Sequence, residues 1–246
     1  MDDLLKKFKN VIDEAIELVS LIEEKFKSDN PQHLYMVCLH GTVLEMANGC
    51  FSLYKTKNNT TVPVLFRVQL EAYVDLRNLS DSVEYLQFMT VAYLHEKKKI
   101  LNNAIKRGHQ NVYLEALANS KDLRGKYDEA CAQIAELKKK GGKKLKVWER
   151  FEKAGLTDLY ESIYPELCQH SHNNLNILEK KHLMEMDGTV KVSYFQPAEK
   201  EQSFHIIDTI AGILADSTAQ VFSVLGIDSE KLSKLKTKLE ELRALY

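Results

Sequence analysis

The chain has 246 residues, of which 44% are hydrophobic and 28% charged, with a net charge of −1 at pH 7. That length suits one large domain or two small ones with a sizeable core, and the balanced charge excludes a chain-wide basic signal, so any nucleic-acid site has to be local. Ten glycines and four prolines are few for this length, which favours long helices over a many-turned sheet.

The four cysteines, Cys38, Cys50, Cys131 and Cys168, have no CxxC spacing. The opening Met-Asp-Asp-Leu-Leu-Lys-Lys is charged and amphipathic, unlike a secretory signal. Reduced thiols in a soluble, cytoplasmic protein are therefore expected. No apolar run approaches the roughly 18 residues of a membrane span, so no membrane association is expected.

In chain order, residues 2–27 repeat apolar positions at helical spacing, from Leu4 and Phe8 to Ile22 and Phe26. Ser28-Asp29-Asn30-Pro31 stops that helix and restarts another, with a capping residue followed by proline at the first helical position. The second helix, about 31–56, is apolar nearly all round and should be central. Its His40 is expected to be structural, pairing with Glu45 or capping a neighbouring helix. Thr61 should cap a third helix, about 62–79, in which Arg67 and Glu71 leave one face at i and i+4. A long helix to about Arg107 should bury Tyr85, Phe88, Met89, Ala92, Tyr93 and Ile100.

Residues 110–140 are polar and helix-prone, suiting a helical arm with a break near Asn119-Ser120. The run Lys138-Lys139-Lys140-Gly141-Gly142-Lys143-Lys144-Leu145-Lys146 is the one strong charge block. It reads either as a solvated loop or as a patch that contacts RNA or phosphate. A short helix over 147–153 ends at Gly155, and Thr157 should cap another through Tyr164. Residues 181–195 alternate apolar and polar around Asp187-Gly188, a β-hairpin signal. Two strands alone are marginal, so the hairpin should pack on the bundle or pair with that of a second subunit. A strongly apolar helix from Glu199 to about Leu225 and a Lys/Glu-patterned closing helix complete the chain. The fold class is all-α: a multi-helix bundle in one domain, 1–246, with long helices and one small hairpin.

The stretch Tyr164-Pro165-Glu166-Leu167-Cys168-Gln169-His170-Ser171-His172-Asn173-Asn174 comes closest to chemistry. As a helix it would stack Tyr164, Cys168 and His172 on one face, with Leu167 and Leu175 pointing that face inward. A core histidine with one satisfied hydrogen bond and a reactive imidazole both remain open. Metal chemistry lacks its spacings: a di-iron bundle needs two E-x-x-H pairs and the chain has one, Glu179 to His182, there is no H-E-x-x-H, and His170 and His172 at i and i+2 lie on opposite faces. The glycine pair lies in no P-loop, and no cofactor is expected.

Two motifs, R-x-x-x-E at Arg67 and Glu71 and Y-x-x-L-[SC]-x-x-x-H from Tyr164 to His172, resemble a family of uncharacterised bacterial helical proteins. That family looks like a distant branch of the HEPN superfamily (higher eukaryotes and prokaryotes nucleotide-binding), and the similarity spans roughly residues 30–225. The resemblance implies a helical bundle, a homodimer, and a metal-independent ribonuclease of a toxin or anti-phage system, with RNA as substrate and an antitoxin or other protein as partner. It implies that His172 is general acid/base, Arg67 steadies the phosphorane, Glu71 orients Arg67, and Tyr164 donates to phosphate or holds the imidazole. His170, Asn173, Lys143 and Lys144 are the substrate-binding candidates. The chain departs from active HEPN nucleases, which carry an arginine with four to six residues between it and the histidine; positions 165–167 are Pro, Glu and Leu. The alternative is a non-catalytic helical interaction module whose Arg67–Glu71–His172 cluster is structural. Either way, polar groups on apolar stripes need partners, so the two motifs are expected to meet within hydrogen-bonding reach.

Overall fold

The computed structural model describes residues 1–172, 174–195 and 200–245, and these are helical apart from short connections and one two-stranded hairpin. The helices are α1 (Asp2–Glu17), α2 (Val19–Lys25), α3 (Pro31–Lys55), α4 (Val62–Asp81), α5 (Tyr85–Arg107), α6 (Val112–Ala118) and α7 (Leu123–Lys139). They continue as α8 (Val147–Lys153), α9 (Thr157–Glu161), α10 (Ile163–Ser171) and α11 (Leu175–His182), then β1 (Leu183–Met186) and β2 (Thr189–Val192), α12 (Lys200–Leu225) and α13 (Ser233–Arg243). Among the described residues, no helix is long and apolar enough to cross a membrane.

Local chemistry sets several boundaries. Asn30 Oδ1 accepts from the Gln32 and His33 backbone N–H groups at 2.9 and 3.4 Å, and Pro31 opens α3. The proline has no N–H to leave unpaired there. Asp122 caps α7 through the Gly125 N–H at 3.1 Å. A Cβ on Gly125 would lie 2.3 Å from that carboxylate, so the tight cap requires glycine. The expected helix over 2–27 is broken once, at Leu18, and Thr157 is the first residue of α9 rather than its cap. Thr61 donates its hydroxyl to Asn58 Oδ1 in the turn before α4.

The chain forms two compact units, Met1–Asp81 with Arg150–Tyr246, and Ser82–Glu149. In the first, α3, α4 and α12 pack together, with α1 against α3, α12 and α13, and α10 against α4. Phe8, Ile12, Met36, Phe66, Leu70, Ile207, Ile210, Leu214 and Phe222 are almost wholly shielded from water. Burying a side chain of that size contributes about 1.5–3 kcal/mol relative to exposure. Gln69 crosses this core, its amide donating to the carbonyls of Val43 on α3 and Ile210 on α12 at 3.2 and 3.3 Å. His40 lies on the buried side of α3 and meets Thr218 of α12, while Glu45 is exposed. The histidine therefore bonds across helices, not along its own.

In the second unit α5 packs against α6 and α7, and the chain breaks between those two helices at residues 119–122. Tyr85 is buried as expected, and with it Val91, Leu94, Leu101 and Ala104, while Tyr93 is 62% and Ile100 50% exposed. Beyond Tyr85 the buried face is rotated from the expected one, because α7 brings Ala130 and Ile134 against Leu94 and so selects that side of the helix.

Asp187 and Gly188 have φ of 53° and 70°, so the hairpin turns on two left-handed residues, with Met186 opposite Thr189. That matches the Asp-Gly turn chemistry. Its strands are shorter than 181–195 because α11 continues through His182. The expectation that the hairpin packs on the bundle is not met. All its strand residues except Met184 are exposed, and among the described residues β1 packs chiefly on α11 and β2. Gly188→Val, forced into a left-handed φ, should therefore open the hairpin to protease cleavage while lowering bundle stability by less than about 0.5 kcal/mol. Limited proteolysis beside a urea titration checks both parts.

Candidate functional site

The α4 sequence Phe66-Arg67-Val68-Gln69-Leu70-Glu71 buries Phe66, Gln69 and Leu70, which leaves Arg67 and Glu71 on a neighbouring face one turn apart. Arg67 Nε donates to Glu71 Oε1 at 3.0 Å, and their side chains retain only 22% and 29% exposure. Helix α10 crosses this face. Tyr164 and Leu167 are its buried residues, and Pro165 sits in its first turn, where a missing N–H leaves no bond unmade.

Tyr164 Oη donates to Glu71 Oε1 at 2.9 Å and accepts from Arg67 Nη2 at 3.3 Å. Arg67 Nη1 lies 3.3 Å from Nε2 of His172, the residue that closes α10. A guanidinium only donates, so Nε2 is the acceptor in this contact. The guanidinium also lies over the Tyr164 ring, 5.5 Å from its centroid. Arg67, Glu71, Tyr164 and His172 thus form one network, open to solvent at His172.

The electrostatics follow from this geometry. Burial works against the Arg67 charge. The hydrogen bond to Tyr164 and the negative poles of Tyr164, Cys168 and Glu71 outweigh it, holding the guanidinium above its ordinary value. Burial and the hydrogen bond to Glu71 push the Tyr164 phenol up, against the opposing pull of Arg67. The phenol therefore stays protonated at neutral pH, and acts as a hydrogen-bonding group and not as a nucleophile.

Arg150, on α8, belongs to the network and was not legible beforehand. Its guanidinium grips Asp75 with two bonds, at 2.9 Å from Nε and 2.6 Å from Nη2. Nη2 also donates to the Glu71 carbonyl at 3.2 Å, and Nη1 lies 3.9 Å from Glu71 Oε2. The missed signal is the spacing Arg67, Glu71, Asp75, a stripe at i, i+4 and i+8 that continues the motif by one turn. Beneath it, Tyr160 stacks on Tyr164 and Phe151 meets both rings at a tilt, with centroids 5.0–5.5 Å apart, which fixes the Tyr164 ring.

The other candidates lie elsewhere or are differently occupied. His170 is half-buried on α10, with Nδ1 buried and unpartnered among the described residues. Burial, then Lys181 and Lys180, hold it down to about 4. Leu175 is 78% exposed rather than turned inward, because the chain breaks after α10 and α11 begins there. Asn173 lies outside the described residues. Lys143 and Lys144 belong to the second unit and are paired there with Glu149 and Glu96.

The model of a family of unknown function, DUF5677, matches residues 33–189, a span that takes in both motifs. No curated protein and no solved structure matches the chain.

Proposed function

The chain belongs to the DUF5677 family, whose function is unknown, and from that premise we propose that it acts on RNA as a metal-independent endoribonuclease of the HEPN type, with Arg67 and His172 at its centre. The observation that carries this reading is the 3.3 Å approach of Arg67 Nη1 to the exposed imidazole of His172. Glu71 holds Arg67 by Nε, so the outer N–H groups face Tyr164 and His172 through contacts at the long end of the hydrogen-bond range. A phosphodiester oxygen would replace these long contacts with shorter charge-assisted ones.

In that arrangement His172 takes the proton of the ribose 2′-hydroxyl. The 2′-oxygen forms a bond to the adjacent phosphorus as the bond to the 5′-oxygen breaks, and the leaving oxygen is protonated from solvent. The products are a 2′,3′-cyclic phosphate and a 5′-hydroxyl. Arg67 neutralises charge on the phosphorane, Glu71 holds Arg67 in place, and Tyr164 turns its one hydroxyl proton from Glu71 to the phosphate. A role in defence, as a toxin held by an antitoxin, and a homodimeric state belong to the same reading.

A second reading is favoured by the engagement of Glu71 with Arg67, Tyr164 and Arg150 at once. On that reading the network is a structural clasp between α4, α8 and α10 in a non-catalytic interaction module. His172→Ala separates the two, because His172 is exposed and its loss should change stability by less than about 1 kcal/mol. An RNA-cleavage assay with chelator present should show activity in the wild type and a loss of about a hundredfold or more in His172→Ala. Wild-type protein inert on structured and unstructured RNA alike, with Arg67→Ala strongly destabilised, would establish the clasp instead.

A further inference from the structure

The second unit, Ser82–Glu149, holds fourteen lysines and arginines against eight acidic residues, a charge of +6, while the rest of the chain carries −7. Much of that surplus comes from two runs about forty residues apart, Lys97–Lys99 on α5 and Lys138–Lys146 at the end of α7. The fold places them together. After α7 the chain doubles back along α5: a Cβ on Gly142 would lie 3.2 Å from Val91, and Lys144 Nζ meets Glu96 at 2.7 Å. His95, between these contacts, is held below its ordinary value by burial and then by Lys138, Lys144 and Lys98.

Carboxylates do not cancel this surface. Glu96, Glu136 and Glu149 are already engaged by Lys144, Lys140 and Lys143 at 2.6–2.7 Å, and Glu149 also accepts the Lys146 backbone N–H. Of the nine lysines in the two runs, the remaining six make no ion pair among the described residues. Aromatic rings lie among them. Tyr93 is 62% exposed one turn before Lys97, and the Tyr127 ring has Lys98 Nζ 5.6 Å and Arg124 Cζ 5.3 Å from its centroid. Clustered cations that track phosphates, with aromatic faces on which bases stack, are the ingredients of a single-strand surface.

We propose that this lysine surface of the second unit, built from Lys97–Lys99 and Lys138–Lys146 with Tyr93 and Tyr127, is a docking site for the backbone of single-stranded RNA. It rests on the RNA-directed reading of the chain and names the surface that holds the polymer. An acidic protein would meet the same charge but has no use for the interleaved rings.

The test uses the full chain carrying His172→Ala, so that RNA stays intact, and a labelled single-stranded 20-mer whose anisotropy is followed across a salt series. Reversing Lys97, Lys98 and Lys99 to Glu should weaken binding at least tenfold and flatten the dependence of log K on log salt, since each phosphate contact on a single strand contributes about −0.7 to that slope. Lys138→Glu with Lys139→Glu should do the same, because the two runs form one surface. A control reverses Lys121 and Lys126, and circular dichroism confirms that each variant is folded. Equal loss in the control, unchanged affinity in the lysine-run variants, or equally tight lysine-dependent binding of poly-glutamate would each overturn the proposal. RNA binding that depends on these lysines in a protein without cleavage activity would defeat the nuclease reading and leave this surface standing.

Discussion

Arg150→Ala should lower the unfolding free energy by about 3–5 kcal/mol, the cost of taking the paired guanidinium away from the partly buried Asp75 carboxylate. Arg150 and Asp75 keep only about 20% side-chain exposure, at 20% and 19%, and their bond at 2.6 Å is the shortest in the network. The same guanidinium satisfies the Glu71 carbonyl. Removing it therefore leaves the Asp75 carboxylate and a backbone acceptor in a site where water reaches them poorly. Arg150→Lys should recover only part of the loss, because an ammonium cannot make the paired bonds of the planar fork. Arg150→Met with Asp75→Leu should recover more, since no partly buried carboxylate then stands opposite the missing guanidinium. Urea unfolding of the four proteins checks the series. A loss below about 1 kcal/mol for Arg150→Ala would place the pair with ordinary surface ion pairs.

Acidification should cost the fold about 3 kcal/mol through His40. That histidine is 3% exposed, and burial depresses it from 6.5 to about 4. Its Nε2 lies 3.0 Å from Thr218 Oγ1, whose own proton goes to the Leu214 carbonyl at 2.8 Å. Nε2 is thus the donor, and the buried ring is the neutral tautomer. Between pH 6.5 and 4 the unfolded chain binds a proton at this position that the folded chain refuses. The stabilisation is complete above pH 6.5, falls as pH drops through that window, and changes no further below about 4. The gap corresponds to about 1.4 kcal/mol for each tenfold step in proton affinity. His40→Gln keeps a donor toward Thr218 without titrating, and should remove most of the slope from a plot of unfolding free energy against pH. An unchanged slope would assign the acid sensitivity to other groups.

The candidate site was half legible in the sequence. Arg67 with Glu71, and Tyr164 with His172, are same-face spacings on two helices, and such spacings survive whatever the helices pack against. Arg150 carries no such mark, because its partners Asp75 and Glu71 lie on α4, more than seventy residues away. His172 was expected to point inward with Leu175. It is instead exposed at the close of α10, because the chain turns away before Leu175 and the shared face ends there.

The same division runs through the fold. The Asn30–Pro31 start of α3, the break before α7 and the Asp187–Gly188 turn were decided by the sequence alone, since each depends on hydrogen bonds and backbone angles within a few residues. Tertiary structure decided which side of α5 is buried, because Ala130 and Ile134 of α7 select it. It also decided that the hairpin stands exposed and that two distant lysine runs share one surface. A helix with apolar residues on more than one face has several ways to bury them. Only the shape of its neighbour, set by residues far along the chain, chooses among those ways.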